Sequence, residues 1–136
     1  MRILIAEDDE RIVRFMKRGL EAEAYEVDFA SEMAQALALT ETFTYDIIIL
    51  DIFIGSDDGM DICRVLRQRS VRTPIVIMTA KDSTVTRQSS KDAGADAYLP
   101  KPFPFEDLLG TIKHLHESDA SSNSLLSFRA GCPEYL

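Results

Sequence analysis

The feature that most constrains the fold of this chain is a set of short runs built from β-branched and other apolar residues. Ile47-Ile48-Ile49 and Ile75-Val76-Ile77-Met78 contain no polar residue, and Arg2–Ala6 is apolar after its first residue. A strand with one face in water alternates polar and apolar residues, so uniform runs indicate strands that are buried on both faces. Such strands belong to parallel sheets covered by helices on both sides.

Segments with helical periodicity separate these runs. Glu10–Glu23 carries an apolar stripe, and similar patterns begin near Ser31 as an N-cap, at Gly59, near Ser83, and at Pro104 as a first helical residue. The two remaining strands are predicted at Tyr25–Phe29 and Ala97–Leu99. The alternation predicts an α/β fold: a doubly wound (βα)5 sandwich with a five-stranded parallel sheet in the order 2-1-3-4-5.

The fourth helix is the weakest part of this pattern. Within Ser83–Asp92, Val85 is almost the only large apolar residue, and Gln88 and Lys91 fall where an apolar stripe would continue. Because little apolar area is available to hold this helix, we expect it to be short, marginally stable or mobile.

Length and charge limit the classes of protein to which this chain can belong. The 136 residues favour one domain, predicted over residues 1–117, and a polar segment at 118–136 is interpreted as a linker or tail, or as the start of a missing output domain. The formal charge of −8 argues against direct nucleic-acid binding and against binding to anionic membranes. The sequence contains no apolar run of membrane-spanning length and no signal peptide, which predicts a cytoplasmic protein. Cys63 and Cys132 lie too far apart in sequence to form a metal-binding pair.

Polar residues follow four of the predicted strands at the point where each strand ends. Asp8 and Asp9 follow the first strand, Asp51 the third, Thr79 the fourth and Lys101 the fifth. The carboxyl ends of parallel strands share one edge, and ligands bind at the point where strand order reverses, which lies between strands one and three. We therefore expect the three carboxylates to converge.

Three converging carboxylates repel one another strongly. At about 4 Å and an effective dielectric constant of about 20, each pair costs about 4 kcal/mol, unless a pKa rises or a cation binds. Oxygen ligands in this number suit Mg²⁺ or Mn²⁺. With Lys101 as a positive charge and Thr79 as a hydroxyl donor, Asp51 is suited to attack phosphorus and to carry an acyl phosphate.

Five motifs together resemble the receiver domains of two-component response regulators, the CheY-like fold, and in particular the OmpR/PhoB-type branch. The resemblance covers roughly residues 2–116. The motifs are Ile5-Ala6-Glu7-Asp8-Asp9, Asp46-Ile47-Ile48-Ile49-Leu50-Asp51, Asp58-Gly59-Met60, Met78-Thr79-Ala80-Lys81, and the segment from Asp92 to Phe103 with its Lys101-Pro102-Phe103.

The resemblance implies a role for each residue at the sheet edge. Asp51 is implied to accept a phosphoryl group from a histidine kinase, with Mg²⁺ held by Asp8, Asp9, Asp51 and the backbone carbonyl of Phe53. A receiver domain of this kind is a phospho-acceptor switch rather than an enzyme with a separate substrate. Its output is transcription where an effector domain is attached.

Further implied roles concern the switch and its partners. Thr79 and Lys101 are implied to contact the phosphoryl group, and Tyr98 to be the aromatic switch residue. The peptide bond between Lys101 and Pro102 is implied to be cis, and the basic face of the first helix, with Arg11, Arg14 and Arg18, to face the kinase. Phosphorylation is implied to alter the face formed by the fourth helix, the fifth strand and the fifth helix.

The chain departs from the family pattern at several positions. Gly55 replaces the usual Pro four residues after the phospho-acceptor, which predicts a more flexible loop, and Asp57 is expected to add negative charge near the metal. Ala97 and Thr111 occupy positions that usually carry charged residues of a homodimer interface, which argues against the usual dimer.

Two other function classes remain as alternatives. A phosphohydrolase of the haloacid-dehalogenase type also uses an aspartate nucleophile at a strand end, but it needs a second acid where this chain has Phe53. A phosphorylation-independent interaction module predicts loss of the acidic residues or of Lys101, and the chain retains them.

Overall fold

The computed structural model of the protein describes residues 1–120 and 134–135. Its strands are β1 (Arg2–Ala6), β2 (Glu26–Ala30), β3 (Ile47–Asp51), β4 (Phe53–Ile54), β5 (Asp57–Asp58), β6 (Ile75–Thr79), β7 (Ala97–Pro100) and β8 (Glu134–Tyr135). Its helices are α1 (Glu10–Ala22), α2 (Met33–Thr42), α3 (Gly59–Gln68), α4 (Thr84–Ala93) and α5 (Phe105–Ala120).

The main sheet has the predicted doubly wound topology. Its strand order is β2-β1-β3-β6-β7-β8, and the first five of these strands are parallel. All residues of β3 and β6 are buried, as their uniform apolar character predicts. Two features were not predicted from the sequence: strand β8, which pairs antiparallel with β7, and the separate hairpin formed by β4 and β5.

The sheet divides the core into two layers. On one side, Ile47 and Ile49 pack in a cluster with residues of α1 and α5, including Met16, Leu20, Leu108 and Ile112. On the other side, Ile48 and Leu50 pack in a cluster with residues of α2 and α3, including Ala36, Ile62 and Leu66. Because successive side chains of a strand point to opposite faces, each central strand supplies both layers.

Helix α4 has few apolar contacts, as its sequence predicts. Its buried residues are Ser90 and Ala93, and Val85 is 75% exposed. Ser83 caps the helix by accepting a hydrogen bond from the Thr86 N–H at 3.0 Å. Its marginal stability stays a prediction.

Two predicted boundaries need correction. The N-cap of α2 is Glu32 rather than Ser31, and the Ser31 N–H donates to the side chain of Gln35. Helix α5 continues to Ala120, so the start of the polar segment, at 118–120, is helical. The rest of that segment except β8, together with Cys132, lies outside the described residues. Within the described part of the chain, no helix has the length and hydropathy needed to cross a membrane.

Candidate functional site

The parallel register brings the predicted polar residues to one edge of the sheet. Ala6, the last residue of β1, lies opposite Leu50, and Asp51 at the end of β3 lies opposite Met78 of β6. Thr79, the last residue of β6, lies opposite Pro100 of β7. Each polar residue therefore occupies or directly follows the carboxyl end of a strand, where a doubly wound sheet binds its ligands.

The centre of the site is a lysine shared by two buried carboxylates. Lys101 Nζ lies 2.6 Å from Glu7 Oε1 and 2.9 Å from Asp51 Oδ2. The Glu7 side chain is fully buried, and those of Asp51 and Lys101 are only 7% and 12% exposed. Two acids therefore compete for one ammonium group in a region from which most water is excluded.

This competition perturbs the protonation of the site. Burial, together with the neighbouring carboxylate of Asp51, raises the pKa of Glu7 to about 7, although Lys101 opposes the rise. Burial lowers the pKa of Lys101, but its hydrogen bonds to Glu7 and Asp51 outweigh burial and raise that pKa overall. The site therefore carries more negative charge than its lysine compensates.

A third carboxylate, Asp8, extends the acidic group toward solvent. Carboxylate oxygens of Glu7, Asp8 and Asp51 all lie within 4.8 Å of one another, and Asp8 is exposed. An Oδ2 atom of Asp8 accepts a hydrogen bond from the Gly55 N–H at 2.9 Å. Oxygen donors in this number, partly open to water, fit a hard divalent cation that retains some of its water ligands.

Asp9 does not join this group, which is a difference from the predicted ligand set. Its carboxylate caps α1 by accepting the Arg11 N–H at 2.9 Å, and it also pairs with the Arg11 guanidinium. Glu7 takes the place predicted for Asp9. A signal was present in the sequence: Asp9 directly precedes a helix, where Asp is a preferred N-cap, whereas Glu7 directly follows the strand.

The loop after Asp51 is held close to the Asp51 carboxylate. The Phe53 N–H donates to Asp51 Oδ1 at 3.2 Å, and the Gly59 N–H donates to the Ile52 carbonyl at 2.8 Å. A Cβ atom at Gly59 would lie 2.1 Å from the carbonyl oxygen of Asp51, so only glycine fits there. The Phe53 ring is 52% exposed, and Lys81 Nζ lies 5.5 Å from its centroid.

The predicted switch residues lie on neighbouring strands of this edge. Thr79 is fully buried, and its hydroxyl oxygen accepts a hydrogen bond from the Lys81 N–H at 3.0 Å. Tyr98 is also fully buried, and burial together with the nearby carboxylate of Asp82 raises its pKa to about 12; its hydroxyl makes no hydrogen bond of standard geometry with a described residue. The Lys101–Pro102 bond is cis, as the resemblance implies.

The predicted basic face of α1 borders an apolar groove. Phe15 is 44% exposed, and its ring lies 6.3 Å from that of Phe103 and 6.1 Å from that of Phe105. The groove is lined by Arg11, Arg14, Phe15, Arg18, Gly19 and Phe105. Positive charge therefore surrounds a partly exposed aromatic side chain near the acidic site.

Comparisons with known proteins identify related sequences and similar structures. Residues 3–113 match the model of the response regulator receiver domain family. The response regulator MprA of Mycobacterium leprae is 37% identical over 132 residues, which cover 94% of this chain and 58% of that relative. The chain thus spans little more than half the length of this curated relative.

Solved structures show the same fold. A CheY-like receiver domain from Methanospirillum hungatei has a TM-score of 0.84 and 30% identity, over 90% of this chain and 98% of that one. The BeF3-activated N-terminal receiver domain of RstA from Klebsiella pneumoniae has a TM-score of 0.80 and 28% identity, over 85% and 98%. The chain belongs to the response regulator receiver domain family of two-component systems.

Proposed function

We propose that this domain accepts a phosphoryl group on Asp51 from a histidine kinase and acts as a phosphorylation switch. The observation that carries the proposal is the buried ion pair between Asp51 and Lys101, 2.9 Å long, beside the carboxylates of Glu7 and Asp8. A carboxylate at a strand end with one fixed cationic partner can act as a nucleophile, because the cation balances the negative charge on the transferred phosphoryl group.

The proposed metal is Mg²⁺ or Mn²⁺. Glu7, Asp8, Asp51 and the backbone carbonyl of Phe53 would hold it, with Glu7 replacing the Asp9 of the sequence-based prediction. The donor set supports this choice, because three carboxylates within 4.8 Å offer only oxygen ligands. The cation supplies charge neutralisation for the oxygens of the transferred phosphoryl group.

The proposed transfer makes one bond and breaks one bond. An oxygen of Asp51 forms the new O–P bond, and the P–N bond of the kinase phosphohistidine breaks. The electron pair of that bond returns to the imidazole nitrogen, and the imidazole leaves neutral once it has taken up a proton. Lys101, already within 2.9 Å of Asp51, pairs with the added negative charge.

Thr79 and Tyr98 carry the response in this proposal. The Thr79 hydroxyl donates a hydrogen bond to a phosphoryl oxygen, and Tyr98 responds on the adjacent strand. This response alters the face formed by α4, β7 and α5. Transcription is the proposed output where an effector domain is attached. Ala97 and Thr111 are uncharged and buried, and the Thr111 hydroxyl donates to the Asp107 carbonyl. Neither residue therefore supplies a charged group to a dimer partner.

The groove beside α1 is the proposed kinase-docking surface. Its arginines and the exposed Phe15 would contact a kinase domain that presents its phosphohistidine to Asp51. We also propose that the protein is located in the cytoplasm. In this proposal the domain is a switch with at most weak self-phosphorylation and self-dephosphorylation, rather than an enzyme that acts on a separate substrate.

The experiment that tests this function is phosphorylation by acetyl phosphate with Mg²⁺, read by intact mass. We expect one phosphoryl adduct in the wild-type protein, its absence in Asp51→Asn, and its retention in the control Asp92→Asn. Asp92 is an exposed acid on α4 and lies outside the acidic group. An adduct of equal yield in Asp51→Asn would overturn the proposal.

A further inference from the structure

The loop that follows Asp51 is connected to α2 by one long-range hydrogen bond. Asp57, at the start of β5, has a carboxylate whose Oδ2 accepts the Met33 N–H at 3.0 Å, across 24 positions of sequence. The sequence predicts the Asp57 charge near the metal, whereas in the structure this carboxylate contacts the first turn of α2. The acid therefore has a structural partner of its own.

Helix α2 lacks a local cap, which gives this contact its importance. The N-cap residue Glu32 makes no side-chain capping bond, and the nearby Ser31 N–H is bonded to Gln35. The first-turn amide groups of a helix need acceptors, and the positive end of the helix dipole favours a negative partner. Asp57 supplies that acceptor from another element, as a charge-assisted hydrogen bond.

The conformation of Gly55 makes this arrangement possible. Gly55 has a φ of +57° at the first position of the two-residue turn between β4 and β5. Glycine is favoured at this position of a tight hairpin, whereas the proline that the family usually has there is restricted to φ near −65°. Gly55 therefore permits the two-residue hairpin turn, and the predicted flexibility of the loop stays a prediction.

The hairpin connects this bond to the acidic site. At its turn, the Gly55 N–H donates to Asp8 Oδ2 at 2.9 Å, and Phe53 in β4 lies opposite Asp58 in β5. The position of Asp57 thus affects the positions of the Asp8 carboxylate and of the Phe53 backbone. Partners that orient metal ligands in this way commonly influence metal affinity.

We propose that Asp57 is a positioning residue: its hydrogen bond to the Met33 N–H holds the β4–β5 hairpin so that Asp8 and the Phe53 carbonyl are set for a divalent cation. This inference rests on the proposed metal-dependent function. It concerns the hydrogen bond rather than the charge of Asp57, and the two can be separated. Asparagine keeps an acceptor oxygen without the charge, and alanine removes both.

The test compares Asp57→Ala, Asp57→Asn and the control Ser56→Ala. Ser56 is exposed and lies in the same turn. Mg²⁺ is titrated into each ¹⁵N-labelled protein, and the Kd is read from amide shifts, together with hydrogen exchange at Met33 and the thermal unfolding midpoint. We expect Asp57→Ala to weaken Mg²⁺ binding about tenfold and to speed Met33 exchange, and Asp57→Asn to restore most of the affinity. Ser56→Ala should match the wild type.

Each other outcome contradicts a distinct statement. Equal weakening in Asp57→Ala and Asp57→Asn would assign the effect to charge and overturn the role of the hydrogen bond. Unchanged affinity or unchanged Met33 exchange in Asp57→Ala would overturn the positioning role, while leaving Mg²⁺ binding and phosphorylation of the wild type intact. A wild-type protein without Mg²⁺-dependent shifts would instead contradict the proposed metal site itself, and the positioning role with it.

Discussion

The two ends of the sheet treat partly buried charge in opposite ways. At the amino end, the Arg67 guanidinium donates to the carbonyls of Gly94, Val71 and Thr73 and to the carboxylate of Asp96. At the carboxyl end, one ammonium group is shared by the buried carboxylates of Glu7 and Asp51, with Asp8 close by. At the amino end the positive charge of Arg67 is paired with several acceptors, whereas the carboxyl end retains an excess of negative charge.

This difference separates stability from binding. A guanidinium whose donors meet several acceptors joins the segments before β6 and β7, and its loss would leave those acceptors unpaired. Clustered carboxylates destabilise the free protein, and in the proposed function a bound cation relieves their repulsion. We expect substitutions at the amino end to act on folding and substitutions at the carboxyl end to act on binding.

The largest effect that we predict is at the amino end. Arg67→Ala removes hydrogen bonds to three carbonyls and the ion pair with Asp96, and we expect the free energy of unfolding to fall by about 3 kcal/mol. Urea unfolding at pH 7 measures this loss. The phosphorylation yield of the folded fraction should stay unchanged.

The control for this prediction is Arg64→Ala, on the same helix. Arg64 pairs with Asp61 at 2.7 Å, but both side chains are largely exposed. Exposed ion pairs contribute little, so the loss should stay below about 0.5 kcal/mol. Equal losses in the two variants would remove the basis for the comparison between the two ends.

The next effect has the opposite sign and belongs to the carboxyl end. Glu7 has a folded-state pKa of about 7, above the usual 4.5, so the folded protein binds more protons than the unfolded chain between these values. The stability that neutral Glu7 gives is complete below pH 4.5 and is lost as pH rises through about 7. Glu7→Gln should therefore raise the free energy of unfolding by about 2 kcal/mol at pH 8 without divalent cations.

The pH dependence distinguishes this mechanism from simple repacking. The gain in Glu7→Gln should shrink toward zero at pH 5, where the wild-type Glu7 is largely protonated. Thermal or urea unfolding at pH 5 and pH 8 measures both values. A gain that is the same at the two pH values would show that the charge of Glu7 is not its cause.

The fold was predictable because its signals are local and redundant. Uniform apolar strands such as β3 and β6 predict a parallel sheet, and the alternation with helices predicts the topology. The convergence of Asp8, Asp51 and Lys101 followed from the shared edge of the strands. Strand β8 was missed because a short antiparallel addition has no such pattern.

Two kinds of detail were not predicted: a local one that was overlooked, and others that depend on long-range contacts. Glu7 and Asp9 are acids two positions apart, and the position of Asp9 directly before α1 is the local signal that it caps the helix. The bond from Met33 to Asp57 spans 24 positions, and periodicity contains no information about it. The replacement of proline by Gly55 did not predict the hairpin that the neighbouring residues form.

A smaller effect is expected for cation binding by the wild-type protein. If Mg²⁺ relieves the repulsion at the carboxyl end, a concentration of about ten times Kd should stabilise the protein by about 1.4 kcal/mol. Protons compete for Glu7, whose pKa is about 7, so the Mg²⁺ affinity should fall as pH drops from 8 to 6. Thermal unfolding with and without Mg²⁺ measures this, and an equal effect in Glu7→Gln would contradict a role for Glu7 as a ligand.

The smallest effect tests whether buried polar groups other than the carboxylates lack hydrogen-bond partners near the carboxyl end of the sheet. The Tyr98 hydroxyl is buried close to Asp82 but makes no hydrogen bond of standard geometry with a described residue, and the Arg87 guanidinium lies 5.6 Å from the ring centroid. Removing an unpaired buried hydroxyl costs little, so Tyr98→Phe should change the free energy of unfolding by less than about 1 kcal/mol, toward stabilisation. Tyr98→Leu is the control, because it removes the ring and should destabilise the core. A loss of about 2 kcal/mol or more in Tyr98→Phe would mean that the hydroxyl is paired in solution, and the excess of unsatisfied polar groups at this end would then be limited to its carboxylates.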